Sequence, residues 1–246
     1  MLNNFKLTIE YDGSDYHGWQ RQKNDRTIQG EIEKALQTMT SKQVALIGSG
    51  RTDAGVHAMG QVANFSVETQ LNAENFQRGL NSLLPADIVI KACKLVNRKF
   101  HARYDVKSKT YTYRIINREI PPAIGRQYAW FIPKQLDLEA MGHAIRYFIG
   151  FHDFKAFEGT GSPRSNTIRH VLNADLKEEK HEYLVFEIEA DGFLRFMVRN
   201  IVGTLVDVGL LRLTPDDFKK ILHSKDRNQA GLTAPPHGLF LMAVKY

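Results

Sequence analysis

The chain has 246 residues, 43% hydrophobic and 24% charged, an ordinary globular composition with room for one large domain or two small ones. Lysine and arginine number 33 against 27 acidic residues, giving a formal charge of +6 that suits a polyanionic partner without requiring one. One cysteine, Cys93, excludes an intrachain disulfide and a multi-cysteine zinc site, and no stretch approaches the ~18 apolar residues of a membrane span.

Phe5, Leu7, Ile9 and Tyr11 alternate with Lys6, Thr8 and Glu10, the period of a half-buried strand, and Asp12-Gly13 ends it. Behind Thr27 as N-cap, Ile28, Ile32, Leu36 and Met39 recur at helical spacing. Val44 to Ile47 and Gln61 to Val67 read as strands. Phe76, Leu80, Leu83 and Leu84 mark a helix stopped by Pro85, and Ile88 to Leu95 form a fourth strand that buries the Cys93 thiol. The order βαββαβ is the ferredoxin-like split unit.

The remainder repeats that order. Strand Thr110 to Asn117 leads to a helix carrying Leu138, Met141, Ile145 and Phe148, closed at Gly150. Strands His170 to Leu176 and His181 to Ile188 follow, then a helix with Met197, Ile201, Leu205 and Val208. An added helix opens at Thr214-Pro215, and a last strand covers Leu239 to Tyr246. The expected fold is α+β: two ferredoxin-like halves, residues 1–105 and 106–246. With no Pro- or Gly-rich linker at the seam, the halves are expected to share a continuous, mostly antiparallel sheet. Two polar irregular segments, Asp12 to Arg26 and Gly159 to Thr167, are too long for tight turns and are candidate functional loops.

The chemistry concentrates in Gly48-Ser49-Gly50-Arg51-Thr52-Asp53-Ala54-Gly55-Val56-His57-Ala58-Met59-Gly60. A dinucleotide fingerprint needs glycine where Asp53 stands, and a P-loop needs Lys and Ser or Thr where Val56 and His57 stand. What remains is an arginine and a carboxylate two residues apart on a glycine-flanked loop, able to come close to a planar substrate. An ordinary turn capped by Thr52 or Asp53 is the competing reading of the three residues alone.

The block from Gly50 to Ala58 resembles the signature of the tRNA pseudouridine synthase A family. Further matches follow in order: Tyr11-Asp12-Gly13, Gly18-Trp19-Gln20-Arg21-Gln22, Gln61 to Phe65, Phe100-His101-Ala102-Arg103, Tyr111-Thr112-Tyr113, Met197 to Gly203, and Gly238 to Leu241. They span essentially the whole chain, with a departure at Asn166. The resemblance implies the pseudouridine synthase fold, no cofactor and no metal, and isomerisation of uridines 38, 39 and 40 in the tRNA anticodon arm. It implies Asp53 as the catalytic carboxylate, Arg199 as its ionic partner, Arg51 as a holder of the displaced nucleotide, and Tyr111 as the aromatic neighbour of the base. Attack at C1′, attack at C6 and a route through loss of the 2′ proton all stay open.

Candidate substrate contacts are Arg21, Lys23, Arg26, Arg103, Lys107 and Lys109, interleaved with Trp19, Tyr104 and Tyr111; Leu239, in the terminal block, is a further substrate contact. A homodimer is expected because relatives are homodimers. The first residues lack the charged head and apolar core of a signal peptide, so the expected compartment is the cytoplasm. A noncatalytic RNA-binding module built of ferredoxin-like units is the alternative, opposed by a carboxylate aimed from a glycine-flanked loop.

Overall fold

The computed structural model describes residues 2–161, 165–179 and 183–246. Two compact units divide the chain: Met1–Lys107 with Phe240–Tyr246, and Ser108–Leu239. The last strand, which ends the second half in the sequence reading, therefore counts from Phe240 onward with the first unit.

The first unit follows the predicted order: β1 (Leu2–Tyr11), α1 (Ile28–Thr40), β2 (Ile47–Gly48), β3 (His57–Glu68), α2 (Ala73–Leu83) and β4 (Ile88–Val96). Strand β1 lies between β4 and β3, antiparallel to both. Its inward residues Phe5, Leu7 and Ile9 are fully buried, and Phe5, Phe65 and Phe76 pack ring on ring with centroids 4.8 to 5.4 Å apart. Thr27 caps α1 by accepting the Gly30 amide, as its position before the apolar run predicts.

One predicted strand is largely absent. Val44 and Leu46 are buried, yet regular pairing is confined to Ile47 and Gly48. The reason is that α1 side chains take the backbone groups a ladder would use. Glu33 Oε1 accepts the Leu46 amide at 3.0 Å, and Gln29 Nε2 donates to the Leu46 carbonyl at 3.0 Å. The edge of β3 is correspondingly divided. Its Ala63–Asn64 end meets β2, while β10 (Leu239–Lys245) runs parallel to it through Phe240 and Leu241, opposite His57 and Ala58.

The second unit holds β5 (Ser108–Asn117), β6 (Trp130–Ile132), α3 (Leu138–Arg146), β7 (Gly150–Asp153), β8 (Ile168–Glu179), β9 (Tyr183–Ala190), α4 (Met197–Gly209) and α5 (Pro215–Ser224). Its strands run in the order β5-β9-β8-β7, antiparallel throughout, with β6 parallel on β5. Strands β6 and β7 were not predicted, being too short to show a period. Helix α3 stops at Arg146, so Gly150 does not close it; Gly150 opens β7 with φ 102°. Residues 181–182 of the predicted strand and 162–164 of the predicted loop lie outside the described residues.

Candidate active site

Asp53 sits on the loop between β2 and β3, half-buried, with Thr52 buried beside it and Arg51 exposed. Its backbone is fixed on both sides. The Trp19 amide donates to the Thr52 carbonyl at 3.1 Å, the Val56 amide to the Asp53 carbonyl at 3.2 Å, and the Gly55 amide to the Tyr16 carbonyl at 3.3 Å. The hydroxyls of Tyr11 and Thr52 share a hydrogen bond of 2.7 Å. Burial pushes the Tyr11 hydroxyl up to about 12, so it stays protonated through the physiological range.

Gln61, fully buried in an otherwise apolar stretch of β3, serves the same loop. Its Oε1 accepts the Ser49 hydroxyl at 2.6 Å and its Nε2 donates to the Gly50 carbonyl at 3.1 Å. Arg51 is held from outside: its Nε donates to Gln20 Oε1 at 3.0 Å, and Gln20 Nε2 donates to Gln29 Oε1 at 2.9 Å. A polar ladder thus runs from the Asp53 loop into α1. The backbone around Asp53 is tied at Thr52, at Asp53 itself and at Gly55.

His57, four residues beyond Asp53, braces the far end of the same loop. It is 1% exposed, stacked on Phe240 with centroids 4.7 Å apart. Its Nδ1 accepts the Gly13 amide at 3.1 Å and lies 3.0 Å from Asp12 Oδ1. The Asp12-Gly13 turn is thereby clamped to the far end of the Asp53 loop. Only glycine fits there, since a Cβ on Gly13 would stand 2.1 Å from the Val56 carbonyl oxygen.

Other predicted contacts of this unit have structural partners. Arg21 pairs with the buried Glu33 at 3.0 Å, and Arg26 pairs with Asp87 at 3.6 Å while lying over the Tyr16 ring. Trp19 is 2% exposed and packs against Gly48. Arg103 and Lys107 are exposed, the former with its guanidinium 5.8 Å from the Tyr104 ring centre.

In the second unit Tyr111 is buried on β5 opposite Ile188, edge-on to Phe193 with centroids 5.0 Å apart. Lys109 stands two residues before it, opposite Ala190, and Leu239 begins β10 with its side chain buried. Arg199 occupies the first turn of α4. Its Nε donates to the Ala234 carbonyl at 2.7 Å, and its guanidinium lies 5.0 Å from the Phe196 ring centre. Burial drives the nearby His237 imidazole below its ordinary value, and the Arg199 charge pushes the same way. Among the described residues no group of three or more His, Cys, Asp or Glu could hold a metal ion, and no helix is long and apolar enough to cross a membrane.

A sequence model described as tRNA pseudouridine synthase matches residues 7–105 and 144–246. The chain belongs to the tRNA pseudouridine synthase family. This synthase is therefore an isomerase that converts uridine to pseudouridine in tRNA. It is 49% identical to "tRNA pseudouridine synthase A" of Thermoanaerobacter sp. (strain X514), over 100% of both chains. It is 46% identical to the protein of that name from Acetivibrio thermocellus, again over 100% of both. A solved structure titled "Structure of H/ACA RNP bound to a substrate RNA containing 2'-deoxyuridine" aligns to 82% of the synthase and 44% of its own chain, with 12% identity and a TM-score of 0.35.

Proposed function

We propose that the synthase acts on uridines 38, 39 and 40 of the tRNA anticodon arm, with the Asp53 carboxylate as its catalytic group, as a cytoplasmic homodimer. The observation that supports the catalytic assignment is the Asp53 loop: a half-exposed carboxylate on backbone anchored at Thr52, Asp53 and Gly55. The reaction breaks the bond from C1′ to N1, turns the base, joins C1′ to C5 and moves the C5 proton to N1, with no net redox change. A carboxylate serves the first step as a nucleophile or as a proton acceptor.

In this proposal Arg51 steadies the displaced nucleotide, Tyr111 is the aromatic neighbour of its base, and Arg199 is a supporting cation. Arg21, Arg103, Lys107, Lys109 and Leu239 are assigned to substrate binding. The test is Asp53→Asn, which keeps side-chain size and removes the charge. Expected are no detectable pseudouridine in unmodified tRNA, unchanged tRNA affinity and an unchanged melting temperature. A stable, tRNA-binding variant that forms pseudouridine at the normal rate overturns the assignment, and modification mapped outside 38–40 overturns the regional one.

A further inference from the structure

Of the three aromatics interleaved with the basic candidates, Trp19 and Tyr111 are buried, while Tyr104 is 75% exposed. A lone exposed aromatic needs no explanation. What sets Tyr104 apart is the effort spent on holding it. Its ring stacks on His101, with centroids 4.2 Å apart and planes 28° from parallel. His101 Nδ1 accepts the backbone amides of Arg103 at 3.2 Å and Tyr104 at 3.3 Å, so the imidazole cannot turn away.

The turn beneath is secured from the core. Two buried asparagines, Asn4 and Asn64, both donate to the Phe100 carbonyl, and Asn64 Oδ1 accepts the Ala102 amide at 2.8 Å. Tyr246 donates its hydroxyl to the Ala102 carbonyl at 2.7 Å, and Asp105 accepts the His101 amide at 2.9 Å. Buried amide side chains spent on one surface turn make it a rigid support. The flanking sequence carries Arg98, Lys99, Arg103 and Lys107 against the single acid Asp105.

A preformed aromatic face set among cations is how proteins hold unpaired bases without reading their identity. We propose that the His101–Tyr104 pair is a stacking platform for an unpaired base of the RNA, separate from the uridine being isomerised. The proposal rests on the tRNA-modifying reading for the identity of the RNA, and stacking itself is tested independently of activity.

Two measurements test it on the full-length protein. First, Tyr104→Ala should weaken binding of unmodified tRNA roughly 5- to 150-fold, the range of one lost base stack. It should raise KM correspondingly and leave kcat, melting temperature and the salt dependence of binding unchanged, while Tyr104→Phe binds as the parent does. Second, a ten-nucleotide oligoadenylate should bind the parent more tightly than the same backbone with abasic residues, and Tyr104→Ala should abolish that difference. Equal tRNA affinity for Tyr104→Ala and the parent, or an oligoadenylate preference indifferent to Tyr104, overturns the platform. A protein that shows the Tyr104-dependent preference yet makes no pseudouridine in any tRNA supports the platform and sinks the functional reading instead.

Discussion

At the scale of single residues, the Asp53 loop is held by groups whose tasks need burial. Tyr11 lies under Thr52, and its hydroxyl, raised from 10.0 to about 12 by burial, keeps its proton in the folded state when the unfolded chain has lost it. The sign follows. Below pH 10 both states are protonated and Tyr11 costs nothing, and from pH 10 to 12 the unfolded state gains from ionisation. Stability should therefore decline as pH rises through that window, with Tyr11 contributing roughly 2–3 kcal/mol of the loss. Denaturant unfolding of the parent and of Tyr11→Phe from pH 8 to 12 checks this. The variant should lose less over the window, and parallel curves would show that Tyr11 is not the group responsible.

At the scale of elements, α4 shows how a helix fixes the chain that crosses it. Asn200 Oδ1 accepts from Thr233 at 2.7 Å and from Arg227 at 3.0 Å, and Thr204 accepts the Gly231 amide at 3.0 Å. Gly203 lets this crossing happen, since a Cβ there would stand 1.7 Å from the Leu232 carbonyl oxygen. Glycine inside a helix ordinarily costs up to ~1 kcal/mol against alanine. Gly203→Ala should nonetheless lower stability, by about 1–3 kcal/mol, because the backbone contact must open. Thermal unfolding beside a helical control, Gly142→Ala, whose added methyl meets nothing within 4 Å, decides it.

The same elements show what the residues could announce. Thr27 before Ile28 and Thr214 before Pro215 mark helix starts that the structure keeps, because capping is local chemistry. Val44 to Ile47 looked like a strand, since its apolar run says only that it is buried. Whether its amides meet a sheet or Glu33 depends on contacts made by α1. The Gly-Arg-Thr-Asp block marked the loop, while the clamp of His57 on Asp12-Gly13 joins segments 44 residues apart, a distance no local pattern spans. Gln61 and Asn64 do stand out in the sequence, as amides within an otherwise apolar run.

At the scale of the whole molecule, the excess of 33 basic over 27 acidic residues predicts that tRNA affinity falls steeply with salt as counterions are released. Lys107→Ala should flatten the plot of log affinity against log salt by about one unit and leave the melting temperature unchanged. Arg21→Ala should also lower the melting temperature, because Glu33 is buried and loses its ion-pair partner. Titration of binding from 50 to 300 mM salt, with a melting curve for each variant, separates the two. A Lys107→Ala slope equal to the parent's would move the phosphate contacts elsewhere.

The assignment of Phe240–Tyr246 to the first unit sets the timetable by which this chain is made. Residues 1–107 leave the ribosome before the second unit does, yet the strand that lies along His57 and Ala58 follows that unit. The second unit is one unbroken stretch, Ser108–Leu239, and can finish during translation. Until β10 emerges, the β3 edge beside His57 has no parallel partner, and Phe240 is not yet there to stack on the imidazole. The turn that holds Tyr104 waits on the same event, because the hydroxyl that ties the Ala102 carbonyl belongs to Tyr246. The stacking of His57 and the tie on the turn beneath Tyr104 thus both come from residues that follow the whole of the second unit along the chain.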